Sequence, residues 1–302
     1  MVRIVQYTRL TPYSCELTND YTTIYLVYRQ SLFYQTTSLD KMIHLIQPNQ
    51  KTLQIIIDAS AQLKGRGYWH LFSNKEILSD EIMTKIELKK AKLLKYFAMN
   101  AIDVEISINQ SSDYLSVLNA EVANDPQSVV VIEDNAVAQR HSIFQRLTAI
   151  KAPLLLLSKR AWQQPLSIVA AVDPLHEYAR TGGLDTNIVA LTERWAKPLK
   201  ATWVVTHCYY VTSVLSQYKN KVLSQHKQGL MEFAKKQRIA ANQCVLLEGI
   251  PEEALASYIK KNNSHILVMG LVARNKLAQL WVGSTTTAIL NDLPCDLLLL
   301  KK

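Results

Sequence analysis

The sequence predicts an α/β protein built as two tandem, doubly wound parallel-sheet domains. Three observations predict it. In the second half, short apolar runs alternate with amphipathic helical segments, as buried parallel strands and their crossover helices do. The first half carries the same alternation in weaker form. The halves also end alike, in KAPLLLLSKR at 151–160 and LPCDLLLLKK at 293–302. That echo marks a tandem repeat with a unit of roughly 140 residues, so the expected domains are 1–160 and 161–302.

The second half is the more legible. Leu166–Asp173 is its first strand, and a helix is expected over Leu184–Leu199. Ala201–Val211 follows as a strand and Lys219–Arg238 as a helix. Gln243–Glu248 is the next strand, and Pro251 opens a helix that runs to Lys261. Proline suits that first turn because its missing N–H has no helical partner there. His265–Gly270 is an apolar strand closed by glycine. Arg274–Val282 is expected as a loop, Gly283-Ser284-Thr285 as a helix start ending near Leu293-Pro294, and Asp296–Leu300 as the last strand.

In the first half, Thr22–Arg29 reads as a strand and Ser38–Ile46 as a short helix. Leu53–Ser60 (LQIIIDAS) is the clearest strand and is placed second. Taking it as the first would leave only one helix before Val104–Ile108 and remove a βα unit. Glu81–Asn100 is a basic amphipathic helix with Ile86, Leu93, Leu94 and Phe97 near one face. Tyr114–Asn124 is a helix, Val129–Ile132 a strand, Phe144–Ile150 a helix and Leu154–Ser158 the closing strand.

Composition narrows the class. With 302 residues, the chain fits about two domains. It is 48% hydrophobic and 20% charged, which is ordinary for a globular protein and excludes a disordered one. No apolar run approaches the roughly 18 residues of a membrane span, and MVRIVQYTRL has no apolar signal region. Cys15, Cys208, Cys244 and Cys295 lack paired spacing, which argues against a zinc knuckle and for the cytoplasm. The +9 charge is spread along solvated helix faces such as Lys85–Lys95. No specific nucleic-acid footprint is expected from it.

The chemistry gathers between His265 and Lys302. A glycine at a strand end and hydroxyls with free N–H groups at a helix start suit an anion laid along the backbone. The spacing is Gly270, two residues, Ala273, nine residues, then Gly283-Ser284. It resembles the nucleotide motif of the universal stress protein family, which has glycine at the second position too. Asp173 at the end of LSIVAAVDP resembles the family's adenine-meeting aspartate, and LEGIP at 247–251 resembles its turn into the third helix. The resemblance covers most of Leu166–Lys302 and implies a tandem, two-domain member with Rossmann-like, adenine-nucleotide-hydrolase-like domains.

That resemblance implies several roles. Asp173 would meet the adenine or ribose, and Met269, with Val205, would form apolar walls. Gly270 would permit backbone approach, and Gly283, Ser284 and Thr285 would cradle phosphates. Ala273 puts a methyl where the family's glycine allows close approach. A positive φ there would cost about 1 kcal/mol. Arg274 either meets a phosphate with its guanidinium or is a solvent-facing loop charge. The adjacent His207 and Cys208 should point to opposite faces of their strand, which argues against a shared metal.

The first half has only Gly65 and Gly67, away from any strand end that would form a pocket. Glu133 and Asp134 stand where the second half has Gly270, and carboxylates there would repel a phosphate chain. The first domain is therefore expected to lack nucleotide and to serve structure or a protein partner.

Thr181-Gly182-Gly183-Leu184-Asp185-Thr186 resembles the pyrophosphate loop of adenylating synthetases. That loop should follow its strand directly, yet Pro174–Arg180 intervenes, so Gly182-Gly183 is read as a flexible helix entry.

The leading expectation is an ATP- or adenine-nucleotide-responsive regulator of stress survival, with Mg2+ only if carried by the nucleotide. The alternatives are a scaffold or small-molecule binder on the same fold, and the adenylating enzyme. No residue stands out as a general base or nucleophile. The resemblance also implies an internal pseudo-dyad, hence a monomer or a weak homodimer.

Overall fold

The computed structural model describes residues 24–28, 53–58, 80–100, 102, 104–109, 114–123, 128–133, 149–158, 160–179, 183–271, 273–276, 279–282 and 284–301. The helix expected at Ser38–Ile46, and all but the end of that at Phe144–Ile150, lie outside these residues.

In the first half the described elements are β1 (Ile24–Tyr28), β2 (Leu53–Asp58), α1 (Asp80–Met99), β3 (Val104–Asn109), α2 (Tyr114–Ala123), β4 (Val129–Glu133) and β5 (Leu154–Leu157). β1 lies between β2 and β4 and is parallel to both. Among the described strands the LQIIID run is the second in chain order.

The second half starts with β6 (Ser167–Ala171) and a 3-10 turn at Pro174–Ala179. Then come α3 (Leu184–Leu199), β7 (Thr202–Tyr209), α4 (Lys219–Gln237), β8 (Cys244–Glu248) and α5 (Pro251–Lys261). β9 (Ile266–Leu271), β10 (Ala273–Lys276), β11 (Gln279–Val282), α6 (Ser284–Asn291) and β12 (Asp296–Lys301) complete it. Gly183 precedes α3 with φ 64°, a left-handed conformation that glycine adopts without strain.

One element corrects the sequence reading. The segment expected as a loop between Arg274 and Val282 is an antiparallel ribbon, with Ala273 opposite Val282 and Lys276 opposite Gln279.

All other described strands form one ten-stranded sheet in the order β3-β2-β1-β4-β5-β12-β9-β6-β7-β8. Each half contributes five of these described strands, in the same internal order. They join where β5 and β12 run antiparallel, with Leu156 opposite Leu297, Leu155 opposite Leu298 and Leu154 opposite Leu299. Equivalent strands meeting antiparallel is the relation a two-fold axis between the halves produces. The two leucine runs thus end in mid-sheet rather than at an edge.

Leucines can run unbroken there because both faces are covered. One core joins Ile86, Leu93 and Phe97 of α1 to α3 and α4, over Leu155, Leu157, Leu298 and Leu300. The other joins Leu115, Leu118 and Val122 of α2 to α5 and α6, over Leu154, Leu156, Leu297 and Leu299. No helix among the described residues is long and apolar enough to cross a membrane.

Candidate functional site

β6 and β9 are parallel neighbours, pairing Ile168 with Ile266 through Ala170 with Val268. From β6 the chain steps outward to β7 and β8, then returns past β6 to β9. Ile188 of α3 packs in one core and Ile289 of α6 in the other, so the connections leave β6 and β9 toward opposite faces. Such a switch point opens a crevice at the carboxyl ends of its strands. Asp173 lies two residues beyond β6, and Met269 and Gly270 lie near the end of β9.

Asp173 is held from several sides. Its backbone N–H donates to the buried Asp185 Oδ2 at 2.9 Å. This is the aspartate of the Thr-Gly-Gly-Leu-Asp-Thr segment. It braces the strand end from within α3, and the 3-10 turn separates it from β6. Asp173 Oδ1 lies 3.0 Å from His176 Nδ1 and 3.9 Å from His207 Nδ1. The Asp173 side chain keeps 28% exposure.

His207 and Cys208 point to opposite faces, as period-two alternation requires. His207 Nδ1–H donates to the Val172 carbonyl at 3.2 Å, so the neutral ring accepts at Nε2. Its partner there is His226 Nδ1 of α4, 2.7 Å away, with ring centroids 4.9 Å apart. Burial holds both imidazoles below the ordinary histidine range. For His207 the Val172 carbonyl and Asp173 oppose the shift, while His226 and His176 add to it. Across the sheet, burial and then the Asp173 and Glu252 carboxylates push the Cys208 thiol up to about 12, so it stays protonated. Nothing in the sequence spacing pointed to His226 or Glu252 as neighbours of this site.

The remaining expected residues divide. Met269 is 6% exposed and packs in the second core with Leu271 and Ile289. Val205 is fully buried in the first core, on the other face. Gly270 has a packing reason: a Cβ there would come within 2.5 Å of Leu184 Cδ2. Ala273 and Arg274 begin β10, and Ser284 begins α6. Gly283 lies outside the described residues. Thr285, in the first turn of α6, donates its hydroxyl to Glu252 Oε2 of α5 at 3.2 Å.

The halves differ at the equivalent strand end. Leu157 of β5 pairs with Glu133 of β4, and Leu300 of β12 pairs with Gly270 of β9. Within the repeated leucine strands these are matching positions, so Glu133 stands where Gly270 stands.

Comparison with known proteins agrees with this architecture. The universal stress protein family model matches residues 160–301. A Haemophilus influenzae protein named universal stress protein E homolog is 21% identical over 285 residues, spanning 87% of this chain and 92% of its own. Universal stress protein E of Escherichia coli K12 is 24% identical over 161 residues, about half of each chain. Among solved structures, a functionally unknown protein from Pseudomonas aeruginosa PAO1 superimposes with TM-score 0.68 at 18% identity, covering 92% of both chains. A universal stress protein from Archaeoglobus fulgidus gives TM-score 0.55 at 11% identity, covering 93% of this chain and 96% of its own.

The fold defines a mostly parallel, doubly wound α/β protein. Residues 160–301 match the universal stress protein family, and the chain as a whole is similar to proteins named universal stress protein E.

Proposed function

We propose that this chain is an adenine-nucleotide-responsive regulator of stress survival, and that its ligand binds once, in the second half, residues 161–302. The observation that carries this reading is the position of Asp173 and Gly270 at the ends of two neighbouring parallel strands whose connections diverge. That crevice is where open α/β sheets hold their ligands. The Gly270, Gly283-Ser284 spacing that resembles the family's nucleotide motif starts at the same strand end.

In this reading Asp173 meets the adenine or ribose and Met269 lines the apolar side. The N-terminus of α6, with Ser284 and Thr285, faces the phosphate end. The first half carries no nucleotide, because Glu133 sits at the position of Gly270 and adds a negative charge at the strand end. That half serves structure or a protein partner. Mg2+ enters only with the nucleotide, and the protein works in the cytoplasm.

Thermal unfolding of the full chain tests the reading. Adenosine, AMP and ATP in large excess should raise the midpoint, since a ligand at a hundred times its Kd adds about 2.7 kcal/mol. Guanosine compounds should not. No response to any adenine compound would leave the scaffold alternative standing.

A further inference from the structure

We infer that Glu252 sets the ligand class of the switch-point site, favouring the uncharged nucleoside over a free polyphosphate. This rests on the proposed reading of that site and adds to it which adenine compound fits best.

The residues expected to cradle phosphates open α6, and one of them is already engaged. Thr285 Oγ1 donates its single proton to Glu252 Oε2 at 3.2 Å. While that bond stands, the hydroxyl has no proton to offer a phosphate oxygen. The chain has also placed its own carboxylate against the first turn of α6. An anion is favoured at such a helix start, and here Glu252 already supplies one.

A second observation extends the negative field across the crevice. Asp173 and Glu252 both act electrostatically on the same thiol, Cys208, near the end of β7. Asp173 lies two residues beyond β6 and Glu252 in the first turn of α5, so both carboxylates come near the end of β7, where Cys208 sits. A nucleoside meets Asp173 through hydroxyls or an amino group, which donate to a carboxylate. A polyphosphate extended toward α6 meets Glu252 with like charge, which costs roughly tenfold in affinity for partly exposed groups.

A merely structural role for the contact makes a different prediction. If Glu252 only braces α5 against α6, its charge is irrelevant to ligand choice. Glu252→Gln separates the two roles, because it keeps an acceptor for Thr285 and removes the charge.

The test is calorimetric titration of the full chain with adenosine and with ATP, in EDTA so that no divalent cation bridges carboxylate and phosphate. In the wild type adenosine should bind at least as tightly as ATP. In Glu252→Gln, ATP should tighten about tenfold while adenosine stays within twofold. Glu252→Ala, which removes both charge and bond, should move ATP the same way if it melts near the wild type. Wild-type ATP binding tenfold tighter than adenosine would overturn the inference, as would unchanged ATP affinity in the Gln variant. In those outcomes the adenine site itself stands. If neither compound binds the wild type, the site reading falls and the inference with it.

Discussion

Asp296 and Ser158, 138 residues apart in sequence, lock the junction of the two halves. The buried Asp296 Oδ1 accepts both the backbone N–H and the hydroxyl of Ser158 at 2.7 Å. Oδ2 accepts the Trp162 indole N–H at 2.8 Å. Asp296 begins β12 and Ser158 directly follows β5, so one carboxylate holds the chain where it leaves the first half. A buried carboxylate is tolerated because these donors replace its water. Asp296→Ala should therefore cost about 3 kcal/mol in urea unfolding. A loss under about 1 kcal/mol would show that the junction is not held here.

The leucine seam predicts the state of assembly. Leu155 and Leu298 face each other in register and are fully buried. The strands that would otherwise seek a partner chain are already paired within this one. Light scattering at low micromolar concentration should report a monomer. A stable dimer would mean that another surface pairs the chains.

The His207–His226 pair gives stability a pH dependence. Their folded pKa values are depressed, mainly by burial, so the folded protein prefers both rings neutral. The unfolded chain takes up these protons first as pH falls through the ordinary histidine value of about 6.5. The pair's stabilising contribution is therefore complete above that value, declines as pH falls below it, and levels off below the folded values. Protonating both rings would also set N–H against N–H across 2.7 Å. His226→Gln, which can still donate to His207 Nε2, should flatten the decline in urea midpoint between pH 7.5 and 5.5. Identical slopes in the two proteins would mean the pair does not titrate on unfolding.

Gly270 offers a test of packing against ligand approach. Its missing Cβ leaves room for Leu184. Gly270→Ala should destabilise by roughly 1–3 kcal/mol, the usual cost of an overpacked core. Leu184→Ala alone should also destabilise, by cavity formation. In the double variant the two costs should not add, because the extra methyl meets an emptied space. Strict additivity in a double-mutant cycle would show that the glycine is required for something other than Leu184.

Much of this architecture was legible in the sequence, and the omissions have physical causes. α3 and α5 begin and end where read, because apolar periodicity and Gly183 or Pro251 mark them. The placement of LQIIID as second strand followed from counting βα units. The β10–β11 ribbon was missed because ARNK and QLWV are four-residue strands with no apolar alternation or glycine turn to announce them. At the site, alternation separated His207 from Cys208 but could not say what faces His207. That answer lies 19 residues away on α4. The Glu252–Thr285 contact joins two helices 33 residues apart, and no local pattern encodes it.

The central claim is a single adenine site in the second half, and the stoichiometry of binding tests it most directly. Calorimetric titration of the full chain with adenosine should give one site per chain, and Asp173→Ala should abolish it while the melting temperature stays near the wild type. Two sites per chain, or an undiminished site in Asp173→Ala, would contradict the account.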